Sequence, residues 1–383
     1  MKIEGVSART LEDTRGEETI KVFVKTSFGL FEASAPNGKS TGKYEAPSYK
    51  KSLSGDIKKL KEISDYFSKL KIEKFDDLEK IEELATEFVG ANTMFALESA
   101  ILKALAFEQE KSVWQLINPK TKKTPQFMGN CIGGGKHSQG KKVPDFQEFL
   151  VVCEDPKIMH EIQQAAKKFL EKQDENFEGK KNDENAWQTS LNEKEVLEIL
   201  KRLKEKFDFN ISLDVAASSF YSRKKYKYQN PVLERTQEEQ FSYMKSLAEH
   251  FEIFSIEDPF EEQDFESFAE LHKACHKTII VGDDLTTTNP KRLQKAIEEK
   301  SISGIIVKPN QIGSLIKVKE VCEMADKNHI KKIFSHRSGE TSESILADLA
   351  VGFQAEYLKC GIAGTGREEK INRILEIKQE MKK

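Results

Sequence analysis

From Thr19 to Ala35 apolar and polar positions alternate, through Ile20, Val22 and Val24 and then Leu30, Phe31 and Ala33, with Ser27-Phe28-Gly29 between the two runs. A period of two on either side of a glycine turn predicts a β-hairpin. The period then lengthens. Ile57 to Leu70 and Phe75 to Phe88 are charged and amphipathic, as surface helices are, whereas Thr93 to Phe107 is apolar and alanine-rich enough to be a buried helix. Residues 1–120 are therefore expected to form a small α+β capping domain, ending near the polar stretch Asn118 to Thr124.

Beyond that point short apolar runs each lead into a polar or ionisable residue. Ile211 to Leu213 meets Asp214, Ile253 to Ile256 meets Glu257, and Ile279 to Gly282 meets Asp283. The series continues with Gly304 to Val307 before Lys308, Lys332 to Ser335 before His336, and Tyr357-Leu358 before Lys359. From Glu257 onward the steps are about 25 residues, the length of one strand, one helix and two short loops. Reactive side chains at the C-terminal ends of successive parallel strands are how a β/α barrel builds its active site. A doubly wound open sheet has a similar period but concentrates such residues at one switch point. Residues 121–383 are accordingly expected to be a TIM-like β/α barrel, with the polar stretch Glu171 to Asn185 as a solvated loop or lid.

At 383 residues the chain is long enough for a barrel and a second unit. Charged residues make up 33% of it, but 61 Lys and Arg nearly cancel 64 Asp and Glu, which argues against nucleic acid or an anionic membrane as partner. Five widely spaced cysteines, with no C-x-x-C pair, argue against a disulfide framework and a structural zinc site and point to a reducing cytoplasm. The N-terminus has no long apolar run, and no stretch of about 18 apolar residues occurs, so neither a signal peptide nor a membrane span is expected.

Asp214, Glu257 and Asp283 at three consecutive strand ends would converge at the barrel mouth, where their repulsion calls for a cation. Hard oxygen ligands suit Mg²⁺, and the absence of nearby Cys or paired His disfavours zinc and copper. Lys308, at the next strand end and facing such a cation, would lose affinity for its proton and act as a base. Gly133-Gly-Gly-Lys136 lacks the spacing of a phosphate loop, and His272 and His276 lack the Glu of H-E-x-x-H. The pairs Lys141-Lys142 and Lys180-Lys181 are expected to be solvated surface.

Ser255-Ile-Glu-Asp-Pro-Phe260, Gly282-Asp-Asp-Leu-Thr286, Lys308-Pro-Asn-Gln-Ile-Gly313 and Ser335-His-Arg-Ser-Gly-Glu340 resemble four signature blocks of the enolase family, in that family's order. Thr14-Arg-Gly16, Ser40-Thr-Gly-Lys-Tyr-Glu45, Gly133-Gly-Gly-Lys-His137 and Gln147-Glu-Phe149 resemble its earlier motifs. A lysine or histidine base beside one or two Mg²⁺ ions is the established pattern of the enolase superfamily. The resemblance implies Mg²⁺-dependent interconversion of 2-phosphoglycerate and phosphoenolpyruvate, the phosphopyruvate hydratase step of glycolysis and gluconeogenesis, by a homo-oligomer, dimer or octamer. It implies Asp214, Glu257 and Asp283 as ligands of a first Mg²⁺, and Ser40 helping to hold a second. It implies Lys308 as base at C2, Glu184 as proton donor to the C3 hydroxyl with Glu148 beside it, and His137 and His336 near the substrate. Arg337 and Ser338 would bind phosphate, and Lys359 would meet the substrate carboxylate, with Glu257 and Asp283 also facing the substrate.

The chain departs from the family in two motifs. It has Asn182-Asp-Glu-Asn-Ala186 where the family has Gly-Asp-Glu-Gly-Gly, and Asn37-Gly-Lys-Ser-Thr-Gly42 where the family usually has Ser-Gly-Ala-Ser-Thr-Gly. The segment Lys50 to Phe88 is also shorter than usual. These departures motivate a competing expectation, a catalytically silent relative kept as a binding or structural protein.

Overall fold

The computed structural model describes residues 1–39, 42–140 and 142–382, and at His137 the backbone alone. The chain starts with an antiparallel sheet, β1 (Ile3–Glu12), β2 (Glu18–Thr26) and β3 (Gly29–Ser34). The expected hairpin is β2 and β3. β1 went unread because a register shift between Ile3 and Gly5 breaks its alternation. Four helices follow: α1 (Leu53–Phe67), α2 (Leu78–Ala85), α3 (Ala91–Glu108) and α4 (Val113–Ile117). α1 begins at Leu53, ahead of the start expected at Ile57, because the Ser52 hydroxyl caps it there by accepting from the Gly55 N–H. α3 is buried along nearly its whole length, as its composition predicts.

Eight strands then close a barrel. They are β4 (Gln126–Gly133), β5 (Glu148–Cys153), β7 (Asn210–Asp214), β11 (Ser255–Glu257), β12 (Ile279–Gly282), β13 (Gly304–Val307), β14 (Lys331–Ser335) and β15 (Tyr357–Lys359), in that order, and β15 pairs back onto β4. Shorter strands lie outside the ring: β6 (Trp187–Gln188) beside β4, and a small sheet of β8 (Tyr221–Ser222), β9 (Lys225–Gln229) and β10 (Val232–Arg235). The helices between and after the strands are α5 (Pro156–Gln173), α6 (Glu193–Lys204), α7 (Gln237–His250), α8 (Phe265–Ala274), α9 (Pro290–Glu298), α10 (Pro309–Ile312), α11 (Leu315–Lys327), α12 (Ile345–Gly352) and α13 (Glu368–Glu380).

Neighbouring strands run parallel except at β5, which is antiparallel to both β4 and β7. Six of the eight strands end at or just before the ionisable residues that the apolar runs anticipated. The reversed strand does the opposite: it presents its first residue, Glu148, at the same mouth. Met128, Leu150, Val152, Val281, Ile306 and Ile333 form a small cluster apart from the main core, which puts them inside the closed ring. The main core lies between the ring and its helices and extends under the N-terminal sheet through Ile20, Val22 and Val24. No described helix is long and apolar enough to cross a membrane.

Candidate active site

Asp214 is the last residue of β7 and pairs in register with Glu148 on one side and Glu257 on the other. Three carboxylates therefore stand in one row across three strands. Asp283 follows β12, Lys308 follows β13, His336 follows β14, and Lys359 ends β15. With Glu148, Asp214 and Glu184 they line a cleft at the barrel mouth. Glu257 lies just behind the wall of this cleft, within reach of Lys359.

The buried row is held together by one cation. The Lys359 ammonium lies 2.8 Å from Glu257, 3.1 Å from Asp214 and 3.3 Å from Glu148. Burial alone would pull its pKa down, but Asp214, Glu148 and Glu257 outweigh burial and hold it well above the ordinary lysine value. Glu148 and Glu257 are pushed well above the ordinary carboxylate range, first by burial and then by their acidic neighbours. Lys308 makes an ion pair with Asp283, whose other oxygen accepts from Gln311 Nε2 at 3.1 Å. That pair overrides burial in both partners, raising Lys308 and lowering Asp283.

Oxygens of Asp258, Asp283 and Asp284 lie within 4.8 Å of one another, a spacing that could hold a metal ion. Asp258 also accepts the backbone N–H groups of Asp283 and Asp284, at 3.0 and 2.7 Å, and so fixes the turn after β12. Asp284 is raised to about 7 by burial and by Asp283. The donor set fits a hard divalent cation: among the described residues the candidate ligands are carboxylates, and Glu148 Oε2 and Glu257 Oε1 are buried with no hydrogen-bond partner. Asp258 and Asp284 were missed as site residues, although the doublets Glu257-Asp258 and Asp283-Asp284 carried the signal.

Glu184 reaches the cleft from the loop before β6. Asn130 Nδ2 donates to its Oε2 at 3.0 Å, and His336 Nε2 lies 3.9 Å from its Oε1. His336 is held well below the ordinary histidine value, by burial above all, and is neutral at pH 7. The expectation of a solvated loop from Glu171 to Asn185 holds for residues 175–180, most of which are exposed, and is corrected on either side of them. α5 takes its first part, and Asp174, Asn182 and Glu184 are buried. Asn182 Oδ1 accepts from the N–H groups of Glu184 and Ala186, both at 3.0 Å, while Asp174 is tied to Thr189 and Ser190. Polar composition misled at Asp174, Asn182 and Glu184 because the groups there are satisfied inside the fold. Lys181 is likewise half-buried, with its ammonium 4.6 Å from the Trp187 ring centroid.

The far wall is cationic. Arg337 is clamped by Glu45 at 3.0 Å and by Asn310 Oδ1 at 3.3 Å. The Ser338 hydroxyl accepts from Arg15 Nη1 at 2.9 Å and from the Lys39 N–H at 2.8 Å. A hydroxyl has two acceptor sites and one proton, so with both acceptor sites engaged Ser338 is left to donate. Arg15 and Glu45 lay within quoted motifs, but nothing local assigned them a partner some 300 residues away. Ser40 lies outside the described residues. His137 sits on the short turn Gly135–His137, and its side chain is not among the described atoms.

Residues 121–383 match the family model described as enolase, C-terminal TIM barrel domain. An enolase of Pyrobaculum aerophilum is 33% identical, over 98% of this chain and 96% of its own. Enolases of Methanosphaera stadtmanae and Archaeoglobus fulgidus are 34% and 33% identical, over 99% and 100% of this chain and 97% and 98% of theirs.

Proposed function

Because the chain belongs to the enolase family, we propose that it is a working phosphopyruvate hydratase, dehydrating 2-phosphoglycerate to phosphoenolpyruvate and running the reverse hydration. The observation that carries this is the presence of Lys308 and Glu184 on one cleft with a buried row of carboxylates between them. Removal of the C2 proton needs a base, and loss of the C3 hydroxyl needs an acid. Lys308 supplies the first and Glu184 the second.

Asp214, Glu257 and Asp283 would hold Mg²⁺, with Ser40 assigned to a second ion. When bound, the metal supplies positive charge against the enediolate oxygens. With Asp283 turned to the cation, the Lys308 ammonium would give its proton to solvent, and the free amine would then take the C2 proton. His336, neutral and 3.9 Å from Glu184, packs beside the acid without competing for its proton. Glu148 lies in the same row as a second carboxylate for proton handling, and His137 is assigned to the substrate. Arg337 and Ser338 face the phosphate, the one as a clamped guanidinium and the other as a hydroxyl left only to donate. Lys359 meets the substrate carboxylate.

A silent relative is disfavoured by how the altered motif is accommodated. Asn185 takes a left-handed φ of 62°, a conformation asparagine tolerates better than most residues, and Ala186 is buried with its N–H donating to Asn182 Oδ1 in the turn that carries Glu184. We divide the molecule into a capping unit, residues 1–120, and a catalytic barrel, residues 121–383. We extend the proposal to a cytoplasmic homo-oligomer, in keeping with free cysteines and with exposed Phe28, Leu30 and Phe107 on the N-terminal part. A coupled assay at millimolar Mg²⁺ tests the activity. Formation of phosphoenolpyruvate is expected, and none from folded protein would overturn it.

A further inference from the structure

Four residues from four distant parts of the chain form a closed ring of polar contacts at the edge of the cleft. Arg367 is fully buried, and its Nη2 donates to two carbonyl oxygens, that of Asp183 at 3.1 Å and that of Ser338 at 3.2 Å. The Asp183 carboxylate in turn accepts from the Lys39 ammonium at 2.6 Å. The Lys39 N–H donates to Ser338 Oγ at 2.8 Å, which closes the ring. Asn37, two residues before Lys39, pairs with Gly339 by two backbone hydrogen bonds of 2.7 and 2.9 Å. A strand-like strap from the N-terminal part is thus fixed to the loop after β14 by its backbone. Among the described residues one side chain, Lys39, carries it across to the segment before β6.

That segment bears Glu184 immediately after Asp183. We infer that Lys39 is a positioning residue: through Asp183 it fixes Glu184 relative to the anion-facing Ser338, so that acid and phosphate site keep one geometry. The inference rests on the reading of Glu184 as the acid. The ion pair is partly exposed, with Lys39 at 37% and Asp183 at 25%, so it acts by geometry and adds little stability. Arg367 holds the two carbonyls and Lys39 holds the Asp183 carboxylate. Removing Lys39 opens the ring at the side chain next to the acid and leaves the Arg367 link in place.

The alternative role for an ammonium here is direct attraction of the anionic substrate, and the two roles separate by measurement. Lys39→Ala, Asp183→Asn and the double variant are compared for dehydration and for solvent exchange of the C2 proton. Positioning through Asp183 predicts a fall in dehydration of roughly three- to tenfold in each single variant, no further fall in the double variant, and C2 exchange within about twofold of the parent. Lys39→Arg, which keeps the pair, is expected to restore most of the rate. Additive losses, or a rise in KM with kcat unchanged, would overturn the inference in favour of substrate attraction. Amide hydrogen exchange provides a readout independent of turnover. In Lys39→Ala the N–H groups of Glu184 and Ala186 should exchange several-fold faster than in the parent. Unchanged protection there would sink the tie itself, whereas faster exchange in a protein inactive on 2-phosphoglycerate would leave the tie standing and remove the proposed activity.

Discussion

Lys359 and Glu257 form an ion pair of 2.8 Å in which both side chains are almost wholly buried. The same ammonium also serves Asp214 and Glu148, so one lysine is the counter-charge for three acids. Breaking a buried pair by deleting one partner costs about 3–5 kcal/mol because the other charge is left unmatched. Lys359→Met should therefore lower the unfolding temperature sharply in EDTA, and millimolar Mg²⁺ should recover more stability in the variant than in the parent, since binding to the folded state stabilises it. Thermal melts with and without the ion decide this. Equal Mg²⁺ shifts in both proteins would mean that the carboxylate row does not take up the metal.

The division of labour between Lys308 and Glu184 predicts opposite signatures. Lys308→Ala should abolish exchange of the C2 proton with solvent. Glu184→Gln should retain that exchange and lose dehydration by a factor of about 100 or more. Proton exchange followed by NMR, beside phosphoenolpyruvate formation by absorbance, separates them. Dehydration persisting in Glu184→Gln would transfer the acid role to Glu148 or Asp183.

Gly38 lies so close to Arg337 that a Cβ built on it would stand 1.9 Å from Nη2. That guanidinium is pinned by Glu45 and Asn310 and cannot swing away without giving up both. Gly38→Ala should therefore move the phosphate-facing group and raise KM for 2-phosphoglycerate roughly tenfold, with a smaller effect on kcat. Steady-state kinetics at saturating Mg²⁺ measure it, and an unaltered KM would show that the strap can retreat at no cost.

Away from the cleft, Glu193 at the start of α6 is buried, and burial raises its pKa to about 7. An acid with a raised folded pKa binds its proton more tightly in the folded state. Its stabilising contribution is complete below the unfolded value near 4.3 and is lost as pH rises through about 7. Glu193→Gln should thus match the parent near pH 4 and exceed it above pH 7 by about 1–3 kcal/mol. Denaturant unfolding at several pH values checks the sign. A variant less stable at pH 8 than the parent would mean that the ionised carboxylate is well solvated.

Most of the barrel was legible because its strands are short, apolar and punctuated by the residues they deliver. Ile279–Gly282 and Gly304–Val307 could be read to the residue. The reversed β5 could not be read that way, since antiparallel and parallel strands share the same alternation and only pairing reveals direction. Phe75 to Phe88 resolved into a turn followed by the shorter α2, because the pattern of apolar residues does not register where backbone hydrogen bonds change type. In the site, residues delivered by strand ends were visible one at a time. Arg15, Glu45 and Asn130 act through partners remote in sequence, and no local period encodes such a pairing.

The contact between the Lys39 N–H and Ser338 Oγ spans 299 residues. At a synthesis rate of about 5–20 residues per second, the strap emerges from the ribosome roughly 15–60 s before the loop on which it rests. In that interval Arg15 can pair with Glu17, but the partners that Arg15 and Glu45 meet at the mouth, Ser338 and Arg337, do not yet exist. The mouth is thus among the last parts of a nascent molecule to be assembled. Chains cut short by interrupted translation would lack the loop that completes the mouth.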